Sequence, residues 1–188
     1  MPSRPFRCNL NRKPIKSFCP AKAYHRLNKI AAEGFFRGGN EETNLKVRIK
    51  KLKDTAVIPT YGTDFSAGAD LYNADGEITV EPHSTAFVHT GLSAEIPEGF
   101  CGLVFARSGL ACKRGLAPAN KVGVIDSDYR GEIMVALHNH ADTPATVLAG
   151  ERVAQLVITP FLKADFELSE DLSDTVRGEG GFGSTGRK

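Results

Sequence analysis

Leu45, Val47 and Ile49 alternate with Lys46, Arg48 and Lys50. A two-residue period of this kind is that of a strand with one face buried and a basic face in solvent. Short apolar segments then recur at 78–80, 86–89, 103–106, 122–125, 133–137, 146–148 and 153–159, and Ile133, Val135 and Leu137 alternate cleanly. Turn-forming residues separate them: Asn73-Ala-Asp-Gly76, Glu81-Pro82, Pro97-Glu-Gly99, Asp126-Ser-Asp128, Asp142-Thr-Pro144 and Ala149-Gly150. Many short strands at this spacing, with very little helix, predict an all-β subunit, a β-sandwich or jelly roll.

The two ends do not follow this pattern. Pro2, Pro5, Pro14 and Pro20 stand among scattered basic residues, and Ala21–Glu33 is a helix candidate stopped by Gly34. Residues 1–43 carry nine Lys/Arg against three Glu, whereas 44–188 carry 15 Lys/Arg against 19 Asp/Glu. At the other end, five glycines occupy the nine positions from Gly178 to Gly186. Such a stretch buries too little surface to hold itself in place. The expected organisation is a basic, disordered extension over 1–43, a β domain over 44–166 and a flexible arm over 167–188. A basic leader poor in acids also has the composition of a transit peptide, without the apolar centre of a secretory signal.

Composition narrows the function classes. The chain has 188 residues, 41% apolar and 24% charged, the size and mix of one ordinary domain. No apolar run approaches the ~20 residues of a membrane-spanning helix. An acidic main body is a poor ligand for nucleic acid by charge alone. Neither nucleic acid nor membrane is therefore an expected partner. Cys8, Cys19, Cys101 and Cys112 include no Cys-x-x-Cys pair, and read as free thiols of a reducing compartment, the cytoplasm. The five histidines form no HExxH or comparable metal set.

Several short motifs have chemistry to offer. Arg107-Ser108-Gly109 follows a strand: Ser108 reads as a helix N-cap, Gly109 permits close approach to an anion, and Arg107 adds a guanidinium fork suited to phosphate. Read alone, the tripeptide is as well a turn. The stretch from Val122 to Leu137 reads as strand, turn, strand, with Gly123 marking a close approach. Asp126 at the strand end either activates a water or caps the turn with Asp128. Tyr129 reads equally as core. Gln155 within an apolar strand either donates to phosphate or is a satisfied interior amide. Asp70 either meets a metal-bound water, holds an arginine, or terminates a turn.

The order of these motifs is more specific than any one of them. Ala-Gly-Ala-Asp-Leu at 67–71, Arg-Ser-Gly-Leu at 107–110, Gly-Val-Ile-Asp-Ser-Asp-Tyr-Arg-Gly at 123–131, Gly-Glu-Arg-Val-Ala-Gln-Leu at 150–156 and Arg-Gly-Glu-Gly-Gly-Phe-Gly-Ser-Thr-Gly at 177–186 occur in sequence. This closely resembles the five motifs of the trimeric dUTPases, over about residues 45–188. The resemblance implies a jelly-roll homotrimer with sites shared between subunits, hydrolysing dUTP to dUMP and pyrophosphate with Mg²⁺. It implies that Asp126 deprotonates the attacking water, and that Asn120 with the backbone of Gly123, Val124 and Ile125 reads uracil. By the same resemblance Tyr129 would pack under the deoxyribose and Met134 would line the same pocket. The resemblance gives Arg107, Ser108, Gly109 and Gln155 the role of holding phosphates. In the same way Phe182 would stack on uracil, Arg177, Ser184 and Thr185 would reach the γ-phosphate, and Asp70 would act through metal-bound water or an arginine. Ala106 stands where the family commonly has proline, and Ala117-Pro118-Ala119 replaces a glycine-bearing loop.

Two rivals share the fold. A dCTP deaminase resembles the same family but wants a glutamate on the strand after the hairpin, where Val135-Ala136-Leu137 carries no acid. A non-catalytic dUTP sensor needs no positioned base, so Asp126 and the complete arm count against it.

Overall fold

Leu71, Val80, Val88, Val104, Leu116, Ile125, Val135, Leu137, Val147, Val153 and Leu156 point into one buried cluster from nearly every strand of the chain. Full burial of side chains this size stabilises by about 2 kcal/mol each, and their two-residue spacing forces the segments between turns into strands. The computed structural model describes residues 45–181. The expected extension over 1–43, its helix candidate, and Phe182, Ser184 and Thr185 lie outside the described residues.

The elements run β1 (Arg48–Lys51), β2 (Thr60–Tyr61), β3 (Ala69–Tyr72), β4 (Ile78–Val80), β5 (Thr85–His89), β6 (Leu92–Glu95), β7 (Phe100–Ala106), α1 (Ser108–Arg114), β8 (Leu116–Pro118), β9 (Gly123–Ile125), β10 (Met134–Asn139), β11 (Ala145–Val147) and β12 (Arg152–Pro160). All strand pairs are antiparallel. The largest sheet has the order β2-β3-β12-β7-β9, a second runs β5-β10-β8, and β1-β6 and β11-β4 are two-stranded. The architecture is all-β, of jelly-roll type, with α1 the one helix among the described residues.

Two features of this scaffold position the site. First, β9 is the edge of the five-stranded sheet, so the backbone groups on its outer side have no strand partner. Second, β10 alternates strictly: Val135 and Leu137 are buried, while Met134 and Ala136 lie on the opposite face with Phe87 and His89 of β5 beside them. Asn139 at the end of β10 is buried and satisfied, donating to the carbonyls of Val80 and Thr143 and accepting from the Ala141 N–H. It ties the strand to its neighbours across 59 residues of sequence.

After Pro160 the chain runs through 161–181 without strand or helix, and Phe166 and Leu168 stand 96% and 100% exposed.

Candidate active site

The turn between β9 and β10 makes one wall of a cavity of about 280 Å³, close to the lower end of ligand pockets (~300 Å³). Asn120, Gly123, Val124, Ile125, Asp126, Tyr129, Glu132 and Met134 line it, with Phe87 and Ala136 from the outer face of β5 and β10. Seven residues singled out in the sequence for base, sugar and catalysis are therefore brought together. Local contacts explain why. A Cβ on Gly123 would lie 3.2 Å from the Asn120 amide nitrogen and 3.3 Å from Val104 Cβ. The close approach anticipated at this glycine is thus made by the chain itself, and it lets the Asn120 amide sit against the β9 backbone.

Asp126 follows Ile125 and faces solvent at the cavity mouth; among the described residues no hydrogen bond holds its carboxylate. Its backbone carbonyl accepts from Tyr129 N–H at 3.1 Å, which closes the turn. Tyr129 is not core: it is 43% exposed and lines the cavity. Its hydroxyl donates to the Glu132 carbonyl at 3.0 Å. Its ring lies against Gly131, where a Cβ would come within 2.5 Å of Cζ.

A second group assembles at the far end of β7. Asp70, only 4% exposed, lies in β3 rather than in a turn. Its Oδ1 accepts from Arg107 Nε at 2.9 Å and its Oδ2 from Arg152 Nη1 at 3.0 Å. Of the roles open to Asp70 in the sequence, the geometry is that of an arginine anchor. One buried carboxylate between two guanidinium groups leaves the cluster with a net positive charge aimed outward. Gln155 pairs in register with Asp70 and Phe105, so its amide shares their face of the sheet. It is half-buried and, among the described residues, has no hydrogen-bond partner. The interior-amide alternative is therefore not what the fold builds.

Helix α1 corrects one expectation. Its N-cap is Arg107, in extended geometry, and Ser108 is the first helical residue, with no side-chain cap. The reason is that the Arg107 side chain is drawn back to Asp70, which fixes Arg107 itself at the junction of strand and helix, one residue earlier than the cap pattern suggests. The Ser108 hydroxyl is left free of a capping role. A Cβ on Gly109 would meet nothing within 4 Å, so the helix start is open.

The two groups are not together in one chain. Ile125 pairs with Gly102, so Asp126 lies level with Cys101. Arg107 is six residues further on, just past the end of β7, roughly 20 Å at ~3.3 Å per residue. Arg177 lies with neither group; its Nε donates to the Gly180 carbonyl at 2.8 Å.

The dUTPase family pattern matches residues 54–186. The chain belongs to the dUTPase family. It is 50% identical over 147 residues to the deoxyuridine 5'-triphosphate nucleotidohydrolase of Desulfitobacterium hafniense strain DCB-2, covering 76% of this chain and 97% of that one. It is 44% identical over 144 residues to that of Hydrogenobaculum sp., covering 77% of this chain and all of that one. Among solved structures, the Staphylococcus bacteriophage 80alpha dUTPase with dUPNHPP aligns with a TM-score of 0.70 and 29% identity, covering 76% of this chain and 99% of that chain.

Placed in the dUTPase family, the chain also shows groups that sequence reasoning passed over. Arg152 shares Asp70 with Arg107. Glu132 and His89 meet at 2.9 Å behind the Tyr129 turn. Burial alone would raise the Glu132 pKa. The hydrogen bonds from His89 and the Gly91 N–H, with the charges of His89 and Lys53, outweigh burial and hold the carboxyl below its ordinary value. The clean alternation of Ile133, Val135 and Leu137 already placed Met134 and Ala136 on a common outer face, a signal that would have found the rest of the cavity wall. Nothing local in the sequence links His89 to Glu132, 43 residues away.

Proposed function

We propose that this chain hydrolyses dUTP to dUMP and pyrophosphate, limiting uracil in DNA and supplying dUMP for thymidylate synthesis in the cytoplasm. The observation that carries the reading is the cavity in which Asp126, Tyr129, Asn120 and the open edge of β9 converge. A flat pyrimidine edge presents alternating donors and acceptors, and the unpaired backbone of Gly123–Ile125 offers the complement. Asn120 supplies a further amide. Met134 closes the pocket, and the Tyr129 ring under the deoxyribose leaves no room for a 2′-hydroxyl.

In this reading Asp126 orients a water and takes its proton as the oxygen attacks the α-phosphorus. The P–O bond to the β-phosphate breaks, and pyrophosphate leaves with the bonding electrons. A carboxylate untied to the protein suits that work, because its lone pairs stay available to the water. Arg107, Ser108, Gly109 and Gln155 hold the phosphates, with Asp70 fixing Arg107. Asp70 thus acts through its arginines. Arg177, Phe182, Ser184 and Thr185 of the arm close over the nucleotide, Phe182 on the base and the others at the γ-phosphate.

A separation of roughly 20 Å between Asp126 and Arg107 is too long for one nucleotide to meet both in a single chain. The reading therefore takes the site as shared in a homotrimer, with the phosphate group of one subunit facing the cavity of another and the arm of a third above them. Exposed Phe166 and, in the arm, Leu168 give the segment after Pro160 apolar side chains to offer a neighbouring copy. Among the described residues no three His, Cys, Asp or Glu side chains converge on a metal position. Mg²⁺, carried in by the triphosphate, would supply charge neutralisation there, while the chain's own donors do the positioning.

A deaminase of the same fold is the reading to beat. The cavity's other carboxylate, Glu132, is already engaged by His89 and Gly91, and Ala136 carries no acid. Pyrophosphate release measured with dUTP, dCTP, dTTP and UTP in turn, with and without Mg²⁺, tests the proposal. Selective, magnesium-dependent release from dUTP supports it. Ammonia release from dCTP, or equal release from all four, overturns it.

A further inference from the structure

The return limb of the turn, Arg130 to Ile133, is stitched to the end of β5, the start of β6 and the two residues between them by five hydrogen bonds. Ser93 Oγ donates to the Arg130 carbonyl, Ile133 N–H to the Leu92 carbonyl, and Thr90 Oγ1 to the Ile133 carbonyl. The other two end on one side chain. Glu132 Oε1 accepts from Gly91 N–H at 2.8 Å, and Oε2 from His89 Nδ1 at 2.9 Å. The carbonyl of the same Glu132 receives the Tyr129 hydroxyl. The Glu132 backbone is thus held from the protein side by its own carboxylate, and holds Tyr129 from the cavity side.

We propose that Glu132 and His89 are positioning residues for sugar discrimination: the pair fixes the Glu132 carbonyl, which sets how far the Tyr129 ring reaches into the deoxyribose position. The inference rests on the reading of Tyr129 given above and assigns it a support on β5. Three observations favour this over a merely structural pair. Glu132 lines the cavity itself. His89 pairs in register with Met134 and so stands on the cavity face of the sheet. The Tyr129 ring and hydroxyl stand where a side chain at 131 would be, so glycine gives the ring its place and the hydroxyl anchor decides its height. Lys53 is the remaining charge felt by Glu132, and its own ion pair is to Asp75 at 2.5 Å.

A reader of the 2′ position that is no longer anchored loses selectivity before it loses turnover. The experiment is kcat/KM for dUTP and UTP with Mg²⁺, in the wild type, Glu132→Ala, Glu132→Gln, His89→Ala and the double alanine variant. Glu132→Ala is expected to lower the dUTP-over-UTP ratio by about tenfold, the scale of one charge-assisted hydrogen bond. Gln still accepts from Gly91 N–H and can donate to a neutral His89, so it restores most of the ratio. His89→Ala gives a smaller loss, and adding it to Glu132→Ala costs nothing more, since both act through one carbonyl. Unchanged ratios in cooperatively melting Ala variants overturn the inference and leave the pair a structural tie. If Glu132→Ala fails to fold, the half-exposed His89 decides by the same ratio. A wild type that cleaves both nucleotides alike removes the sugar-reading role of Tyr129, and the inference with it. A wild type inactive on dUTP removes the hydrolase reading itself.

Discussion

The Tyr129 ring rests on Gly131 so closely that a methyl group at 131 would overlap the phenol oxygen. The glycine is required here by a neighbour's volume and not by its own backbone angles, since it is not among the positive-φ glycines. Gly131→Ala must therefore move Tyr129. Overpacking of this kind costs about 1–3 kcal/mol. The expected outcome is a folded protein with a KM for dUTP raised about tenfold or more and weakened rejection of UTP. Steady-state kinetics on the two nucleotides check it.

Asp126→Asn tests the proposed base directly. Among the described residues the carboxylate has no hydrogen bond to lose, so the melting temperature should stay within about 2 °C of wild type. Turnover is expected to fall by at least ~100-fold with KM little changed, because an amide keeps the shape and cannot take the proton. Single-turnover pyrophosphate release separates the chemical step from binding.

Asp70→Asn leaves Arg107 and Arg152 facing each other without their counter-charge. Breaking such a partly buried cluster costs about 3 kcal/mol, seen as a lower urea midpoint. Arg107 also loses its fixed direction, so affinity for the triphosphate should fall further than affinity for dUMP. Calorimetric titration with both ligands checks that difference.

Glu132 gives a pH signature. Its carboxyl is held below the ordinary value of 4.5 in the folded protein. A depressed acid contributes stability that is complete above its unfolded value and disappears as pH falls through the folded one. Wild-type stability is therefore expected to weaken below pH 4.5 more steeply than that of Glu132→Gln. Urea midpoints measured from pH 6 downward read the two slopes.

How far the sequence reaches can be judged from particular elements. β10 is legible because Ile133, Val135 and Leu137 follow the pleat without interruption. β3 is not, because its second residue is the buried Asp70, and a charge inside a four-residue strand breaks the apolar pattern that announces one. β6 is hidden for a similar reason: Leu92-Ser-Ala-Glu95 has one large apolar residue in four. Within the site, Asp126, Tyr129 and Asn120 are legible because they sit within ten residues of one turn. Asp70 with its two arginines, and Glu132 with His89, join distant segments, and only the folded sheet brings those into register.

The span of β7 between Asp126 and Arg107 has an outcome visible without any structure. On the proposal of a shared site, chains carrying Asp126→Asn and chains carrying Arg107→Ala, each inactive by themselves, are expected to recover part of the activity when unfolded, mixed and refolded together, because some interfaces would then join an intact cavity to an intact arginine. Two broken enzymes would make a working one, and the recovered fraction would count how many chains build each site.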